Sequence, residues 1–163
     1  MTQTKTQGDN RPYRANVGIV LINNHNKVWV GSRIDMPSEH WQMPQGGVDE
    51  GEDIIQAMWR ELEEEIGVKQ DHASIIDYHR EWMTYDLPYE LSLNFWGGKY
   101  RGQKQKWFIL RLNEKDSVIN INTDEPEFKD WKWVDFEQTI ELIIPFKKDI
   151  YEQVYNKFKH ICL

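Results

Sequence analysis

The chain has 163 residues, of which 39% are hydrophobic and 13% aromatic, and its formal net charge at pH 7 is −7. A chain of this length and composition can bury a sizeable core in one domain, which excludes an intrinsically disordered protein. Proteins that bind nucleic acid through bulk charge are normally basic, so the acidic balance restricts any RNA partner to one locally bound end.

The sequence also indicates where the protein works. No apolar run approaches the length of about 20 residues that a membrane-spanning helix needs. The single cysteine, Cys162, excludes an internal disulfide framework and fits a reducing compartment. Residues 1–10 are polar and do not resemble a signal peptide, so we expect a flexible tail over residues 1–12 and one domain over residues 13–163. We therefore expect a cytoplasmic protein, with a monomer favoured and no membrane or DNA partner.

Hydrophobic patterning predicts a series of strands and turns. Residues 16–23 and 27–31 are apolar runs separated by a turn, which predicts a hairpin. A loop comes next over residues 33–40, and a polar turn is predicted at residues 99–105. Further strands are predicted at residues 75–85, 106–112 and 131–134, with a short strand possible at residues 118–121.

Helices alternate with these strands. The first helix begins near Asp53, which can form a capping-box-like pair with Gln56, and it ends at Gly67. A short helix is predicted at residues 140–144, and a last helix packs one apolar face inward. Hairpins mixed with helices indicate an α/β sandwich. The apolar stripes comprise Ile55, Met58, Leu62 and Ile66 on the first helix, and Phe146, Ile150, Val154, Phe158 and Ile161 on the last.

Three carboxylates lie side by side on the first helix. Glu61, Glu64 and Glu65 are three and four residues apart or adjacent, so they share one stripe and repel one another. A solvated acidic face is the ordinary interpretation of such a stripe. A hard divalent cation would reverse the repulsion, because Mg²⁺ and Mn²⁺ prefer oxygen ligands. The stripe therefore predicts a metal site that would hold substrate phosphates.

A longer pattern supports the metal site. Gly46 is followed after five residues by Glu52, after seven more by Arg60-Glu61-Leu62, and then by Glu64-Glu65 and Gly67-Val68. At ordinary residue usage this match would occur by chance at on the order of 10⁻⁹ per start position. Residues 46–68 resemble the box of the Nudix hydrolases with every position filled. The resemblance implies the Nudix fold, an α/β/α sandwich with a mixed β-sheet.

Other segments resemble one branch of that family, the bacterial RNA pyrophosphohydrolases, also called (di)nucleoside polyphosphate hydrolases. Two departures are visible: Ala15 stands where the branch usually has proline, and the loop at residues 34–40 is about two residues longer than in its best-known member. The segments that carry the resemblance are residues 13–18, 41–47, 102–108, 126–128, 131–133 and 145–147.

The resemblance implies a role for each acidic position. Glu61, Glu64 and Glu65 would bind metal, together with the backbone carbonyl of Gly46 and the carboxylate of Glu127. Glu61 would be the general base or the residue closest to the attacking water, although neighbouring carboxylates titrate as one coupled group. The expected cofactor is Mg²⁺, with Mn²⁺ as a substitute, and more than one ion at the site. Glu52, Arg60 and Gly67 would have structural roles, with a salt bridge between Glu52 and Arg60.

The resemblance also implies a substrate-binding set. Its basic members would cancel phosphate charge that the metal leaves exposed. Tyr85 would either donate a hydrogen bond to phosphate or pack in the core. Phe146 would either stack on a nucleobase or belong to the core of the last helix. The predicted set is Arg14, Arg33, Tyr85, Lys104, Lys106 and Phe146.

The resemblance implies two kinds of substrate. The enzyme would hydrolyse phosphoanhydrides, removing pyrophosphate from the 5′-triphosphate end of RNA to initiate mRNA decay, or cleaving diadenosine polyphosphates to give ATP. A dedicated dinucleotide hydrolase that clears signalling nucleotides is the alternative. A non-catalytic domain that binds nucleotides or RNA ends is a further alternative, but such domains usually lose carboxylates of the box, and all of them are present here.

Overall fold

The structure, a computed structural model, describes residues 8–35 and 39–163. In that part of the chain a seven-stranded mixed sheet has the order β4-β6-β1-β2-β7, while β3 pairs with β1 and β5 pairs with β6. The strands are β1 (Tyr13–Ile22), β2 (Val28–Arg33), β3 (Gln45–Gly47), β4 (Ala73–Tyr78), β5 (Met83–Asp86), β6 (Gly102–Leu112) and β7 (Phe128–Val134). The α-helices are α1 (Ile54–Ile66), α2 (Tyr89–Ser92), α3 (Gln138–Leu142) and α4 (Lys148–Phe158).

The centre of the sheet is the parallel pair formed by β1 and β6. Their register runs unbroken from Tyr13 opposite Gly102 to Ile22 opposite Arg111. β1 also pairs with β2 and β3 in antiparallel fashion. β6 lies along one edge of β1, while β3 and β2 pair with different parts of its other edge. Alternate residues of a strand point to opposite faces, and both faces of β1 and β6 are buried. The sheet therefore needs a helical layer on each side.

Two cores fill the spaces between the layers. α1 covers one face of the sheet with Met58, Leu62 and Ile66, which pack with alternate residues of β1 and β6. α4 covers the other face and buries Ile150 and Val154. This arrangement confirms the predicted α/β sandwich. The apolar stripe predicted for α1 was wrong at one position, because Ile55 is exposed and Ala57 is buried in its place.

Two predicted boundaries around β6 were wrong. The predicted polar turn at residues 99–105 is in large part strand, because β6 begins at Gly102 and is paired there with both β1 and β5. The predicted strand over residues 75–85 is two strands. Residues 79–82 face only Lys106 and Trp107 of β6, since Tyr78 is opposite Phe108 and Met83 is opposite Gln105. Four residues cannot pair with two, so the chain leaves the ladder between β4 and β5.

Smaller elements complete the chain. The short strand considered at residues 118–121 does not form, because Asp116–Val118 is a 3₁₀ turn and residues 119–121 belong to no strand. Phe146 lies in a 3₁₀ turn, Pro145–Lys147, immediately before α4, rather than within that helix. Of the predicted tail at residues 1–12, residues 1–7 lie outside the described residues. Arg11, near its end, donates hydrogen bonds to the carbonyl of Gly98 at 3.1 Å and to the hydroxyl of Ser92 at 2.8 Å.

Candidate active site

The site forms where β3 meets α1. Gly46 lies opposite Val17 of β1, and a Cβ atom at position 46 would collide with the carboxylate of Glu61. A Cβ atom at position 47 would likewise collide with the guanidinium of Arg14. Only glycine allows both side chains to approach the backbone this closely. The two glycines therefore bring an acidic and a basic side chain against the two faces of one short strand.

The ends of α1 are fixed by its caps. The carboxylate of Asp53 accepts hydrogen bonds from the backbone N–H groups of Ile55 at 3.0 Å and Gln56 at 3.2 Å. At the other end Gly67 has φ of 75°, and its N–H donates to the carbonyl of Glu63. A left-handed residue at this position ends a helix, and glycine adopts it without a steric cost. The caps confirm the predicted start and end of the helix that carries the glutamates.

Arg60 organises the acidic residues of the box. Its Nε and Nη2 atoms donate to both oxygens of Glu52, at 2.7 and 2.8 Å. Its Nη1 atom donates to Glu61 at 2.9 Å and to Glu64 at 3.1 Å, and Nη2 also reaches the carbonyl of Gly47 at 2.9 Å. The Arg60 guanidinium lowers the pKa of Glu52 to about 2, so this carboxylate stays charged. The structure contains the salt bridge that the box pattern predicts.

Glu65 is the most deeply buried of the three glutamates. The residue is 5% exposed, and its Oε1 atom has no hydrogen-bond partner. Burial raises the pKa of Glu65 well above its ordinary value, and the charges of Glu61 and Glu127 raise it further. A buried carboxylate oxygen without a partner is costly, so this atom marks a position where a positive ligand would be stabilising.

Glu61 lies beside it and is also shielded from solvent. Burial raises the pKa of Glu61 to about 7, although the neighbouring Arg60 opposes the shift. Glu64, by contrast, has a side chain that is 56% exposed. The three predicted metal ligands therefore occupy three environments: one buried, one shielded and one facing solvent.

Glu127 and Arg33 close the cleft from the other side. They form an ion pair with a distance of 3.2 Å between Arg33 Nη2 and a carboxylate oxygen of Glu127. Arg33 also donates twice to Asp35, at 2.8 Å each. The cleft has a volume of about 830 Å³, and its acidic lining includes Glu61, Glu64, Glu65 and Glu127. The structure thus brings together every acidic residue predicted for the site.

The donor set fits a hard divalent cation. All of its side-chain ligands are carboxylate oxygens, which Mg²⁺ and Mn²⁺ prefer, and one of them is buried without a partner. Within residues 8–35 and 39–163, no group of three acidic, histidine or cysteine side chains is already gathered as a metal cage. Arg60 holds two of the predicted ligands, Glu61 and Glu64, by its own hydrogen bonds. A bound cation would compete with Arg60 for these oxygens.

The raised pKa values predict how pH affects the metal-free protein. A carboxyl group with a higher pKa in the folded than in the unfolded state stabilises the fold below the unfolded value and loses this effect as pH rises through the folded value. For Glu61 these values are 4.5 and about 7. The shift corresponds to about 3 kcal/mol. We expect the melting temperature in EDTA to fall between pH 4.5 and 7, with Glu65 adding to the loss.

Saturating Mg²⁺ provides the control for this measurement. The cation stabilises the charged carboxylates, so the fall between pH 4.5 and 7 should become smaller or disappear. Glu52 does not contribute in this window, because its lowered pKa acts only as pH falls toward 2. Equal melting profiles with and without Mg²⁺ would contradict the proposed site.

A second group of side chains lies on the opposite face of β3. Tyr85 is 8% exposed and its hydroxyl donates to the Oε1 atom of Gln103. The ring of Phe146 lies 6.2 Å from that of Tyr85, and the guanidinium of Arg14 lies 5.2 Å from the ring of Trp96. Tyr85 therefore packs in the core and also forms a hydrogen bond within the protein. Phe146 is partly buried against the same core.

Lys147 is a member of this group that was not predicted from the sequence. Its Nζ atom donates to the Oε1 atom of Gln45 at 3.2 Å and lies 5.6 Å from the ring of Tyr85. Burial lowers the pKa of Lys147 to about 8, and Glu65 opposes the shift. The sequence feature that could have identified Lys147 is its position directly after Phe146. A buried lysine beside polar groups is suited to binding an anion.

The structure does not bring Lys104 and Lys106 to this group. Gln103 and Gln105 of β6 face it instead, and Gln105 donates to Asn16 at 2.8 Å. Alternate residues of a strand point to opposite faces, so the two lysines lie on the α1 face. There both lie over the ring of Trp82. The buried glutamines were not predicted, because polar residues in that segment suggested a turn.

In the part of the chain that the structure describes, no helix is long and apolar enough to cross a membrane.

Comparison with known proteins places the chain in a family. The NUDIX domain model matches residues 12–155. The chain is 51% identical over 143 residues to an RNA pyrophosphohydrolase of Rhodospirillum rubrum, covering 88% of this chain and 85% of that protein. It is 48% identical over 150 residues to an RNA pyrophosphohydrolase of Zymomonas mobilis, covering 92% and 97%.

Solved structures share the fold at lower identity. A C. elegans Ap4A hydrolase in a binary complex has a TM-score of 0.62 at 20% identity, covering 89% of this chain and 98% of that one. An E. coli dihydroneopterin triphosphate pyrophosphohydrolase has a TM-score of 0.68 at 23% identity, covering 88% and 97%. Together with the family model and the close relatives, these likenesses confirm the predicted Nudix fold. The chain therefore belongs to the Nudix family, in the branch of the RNA pyrophosphohydrolases.

Proposed function

We propose that this Nudix hydrolase removes pyrophosphate from the 5′-triphosphate end of RNA, using Mg²⁺ or Mn²⁺, and that the same site cleaves diadenosine polyphosphates. The observation that carries the proposal is the position of Gln45. Its backbone lies beside Glu65 and its side chain beside Lys147. The acidic cleft and the aromatic, basic group are thus adjacent, as a nucleotide with a polyphosphate requires.

Each part of the site has a role in this reaction. Glu61, Glu64, Glu65 and Glu127, with the carbonyl of Gly46, would hold the cation. The bound cation would neutralise phosphate charge and favour ionisation of water. Glu61 would accept the proton as water oxygen bonds to phosphorus and the bond to the leaving pyrophosphate breaks. The products would be RNA with a 5′-monophosphate and free pyrophosphate.

The opposite face of β3, with the adjoining edge of the cleft where Arg33 lies, would hold the first nucleotide and its phosphates. Arg14, Arg33 and Lys147 would bind phosphate oxygens, since their charges can offset the negative charge that the cation leaves exposed. Phe146 would stack on the first base, because its ring is only partly buried. Stacking contributes roughly 1–3 kcal/mol with little base preference. This weak preference is compatible with both RNA and dinucleotides.

The cellular setting is inferred from composition and the relatives together. We propose a cytoplasmic monomer whose partner is the 5′ end of RNA or a small dinucleotide, without DNA or membrane partners. The net charge of −7 supports capture of one end rather than binding along a strand. Removal of the triphosphate would mark an RNA for decay.

A competition assay tests the proposal. A ten-nucleotide RNA with a 5′-triphosphate and diadenosine tetraphosphate are offered together in Mg²⁺, and kcat/KM is compared, since this ratio measures specificity. Preference for RNA, with pyrophosphate and monophosphorylated RNA as products, supports the proposal. Preference for the dinucleotide would favour the alternative of a dedicated dinucleotide hydrolase. Turnover of neither, with binding retained, would favour a non-catalytic binding domain.

A further inference from the structure

A basic and aromatic surface lies outside the cleft. It comprises Arg80, Trp82, Lys104 and Lys106, and we call it the Trp82 patch. The Nζ atoms of Lys104 and Lys106 lie 4.8 and 4.9 Å from the centre of the Trp82 ring, which is 36% exposed. Arg80 is exposed and lies over the ring of Tyr78. Two lysines beside one exposed indole, with an exposed arginine over the Tyr78 ring, are unusual in a chain with a net charge of −7.

The patch has no acidic partner within the described residues. None of its three basic side chains forms a salt bridge within residues 8–35 and 39–163. By contrast, Arg33 and Arg60 of the cleft are both held by carboxylates. The lysines are instead arranged around an aromatic face. Such a surface is complementary to a flexible polyanion that also carries flat rings.

Strand register places the patch near the catalytic glutamates. Val17 of β1 pairs with Gly46 on one side and with Lys106 on the other. Neighbouring strands are about 4.8 Å apart, so the backbone of Lys106 lies about 10 Å from that of Gly46. Gly46 directly contacts Glu61, and Lys106 points to the same face of the sheet as Phe108, which packs beneath α1. The cleft and the patch therefore share one face.

We propose that the Trp82 patch binds the single-stranded RNA that continues from the 5′ end held in the cleft. Lys104, Lys106 and Arg80 would contact backbone phosphates, and Trp82 would stack on a base. This inference rests on the proposed function, because it requires an RNA end in the cleft. It also explains how an acidic protein binds RNA, because the strand would meet local positive charge beside the cleft. Diadenosine tetraphosphate has no nucleotide that continues 3′ from the one held in the cleft, so it has no strand to lay on the patch.

The substitutions Trp82→Ala and Arg80→Ala distinguish the contribution of the patch from that of the cleft. We expect Trp82→Ala to lower kcat/KM about tenfold for a ten-nucleotide triphosphorylated RNA, through KM, and to leave diadenosine tetraphosphate hydrolysis unchanged. Arg80→Ala should act in the same direction. Trp82→Phe should restore most of the loss, because a smaller ring still stacks. Lys157→Ala, an exposed lysine on α4, serves as the charge control and should change neither substrate.

Direct binding keeps the test independent of turnover. A fluorescent ten-nucleotide RNA with a 5′-hydroxyl lacks the triphosphate, so the difference in its affinity between the wild type and Trp82→Ala, measured by anisotropy, reports the patch. The plot of the logarithm of the association constant against the logarithm of salt concentration has a negative slope. Each of Lys104→Ala and Lys106→Ala should make this slope shallower by about 0.7. If the wild-type protein binds this RNA but hydrolyses no RNA end, the proposed function fails and the patch stands. If Trp82→Ala leaves both binding and RNA kcat/KM unchanged, the patch proposal is overturned.

Discussion

Replacing Glu61 with Gln should lower kcat for either substrate by roughly 10²–10⁴-fold, the range expected when a positioned general base is removed. Glutamine keeps the size of the side chain, which matters because Glu61 fits directly against Gly46. Steady-state kinetics in saturating Mg²⁺ give the result. Glu50→Gln is the matched control, since Glu50 is an exposed carboxylate of the same box outside the cleft, and its kcat should not change. A normal kcat for Glu61→Gln would show that another residue accepts the proton.

The same substitution at Glu65 should have opposite effects on stability and activity. The charge of Glu65 is buried and its Oε1 atom has no partner, so a neutral amide removes a desolvation cost in the metal-free protein. We expect Glu65→Gln to melt at a higher temperature than the wild type in EDTA and to lose most of its kcat in Mg²⁺. A structural role for Glu65 predicts the reverse, with lower stability and activity retained.

Replacing Arg60 with Ala should be the most destabilising change among the charged residues of the box. The substitution removes the counterion of Glu52, Glu61 and Glu64 and leaves the carbonyl of Gly47 without its donor. Removing one partner of a shielded ion pair is costly, and partial exposure of Arg60 reduces the cost to about 2–3 kcal/mol of unfolding free energy. Chemical denaturation in EDTA measures the loss.

Arg60→Lys is the control that distinguishes charge from geometry. Lysine keeps the positive charge but cannot donate to both oxygens of Glu52 while reaching Glu61. We expect it to recover less than half of the lost stability. Full recovery would mean that charge alone matters, and the bidentate contact with Glu52 would then have no role of its own.

The acidic cleft was largely predictable from sequence because its residues match the helical repeat. Glu61, Glu64 and Glu65 lie within one helix whose caps, Asp53 and Gly67, are also local signals. Their separation into buried and exposed environments was not predictable. It depends on how α1 packs against β3 and on Glu127, which is 62 residues or more away along the chain.

The other face of the site was less predictable, because its residues break the usual pattern of strands. Gln103 and Gln105 are buried polar residues in β6, and their partners come from β1, β3 and β5. Without knowledge of those partners, the segment looks like a solvated turn. Lys104 and Lys106 were assigned to the phosphate site by the family resemblance. Strand alternation around the glutamines sends both lysines to the α1 face.

Titration of the metal-free protein with Mn²⁺ tests most directly whether the carboxylates of α1 bind a divalent cation. Calorimetry would compare the wild type with Glu65→Gln and with the Glu50→Gln control. We expect the wild type and Glu50→Gln to bind Mn²⁺ equally and Glu65→Gln to bind it at least about tenfold more weakly, because the buried carboxylate is lost. Equal affinity in all three proteins would contradict the proposed metal site and place the cation elsewhere.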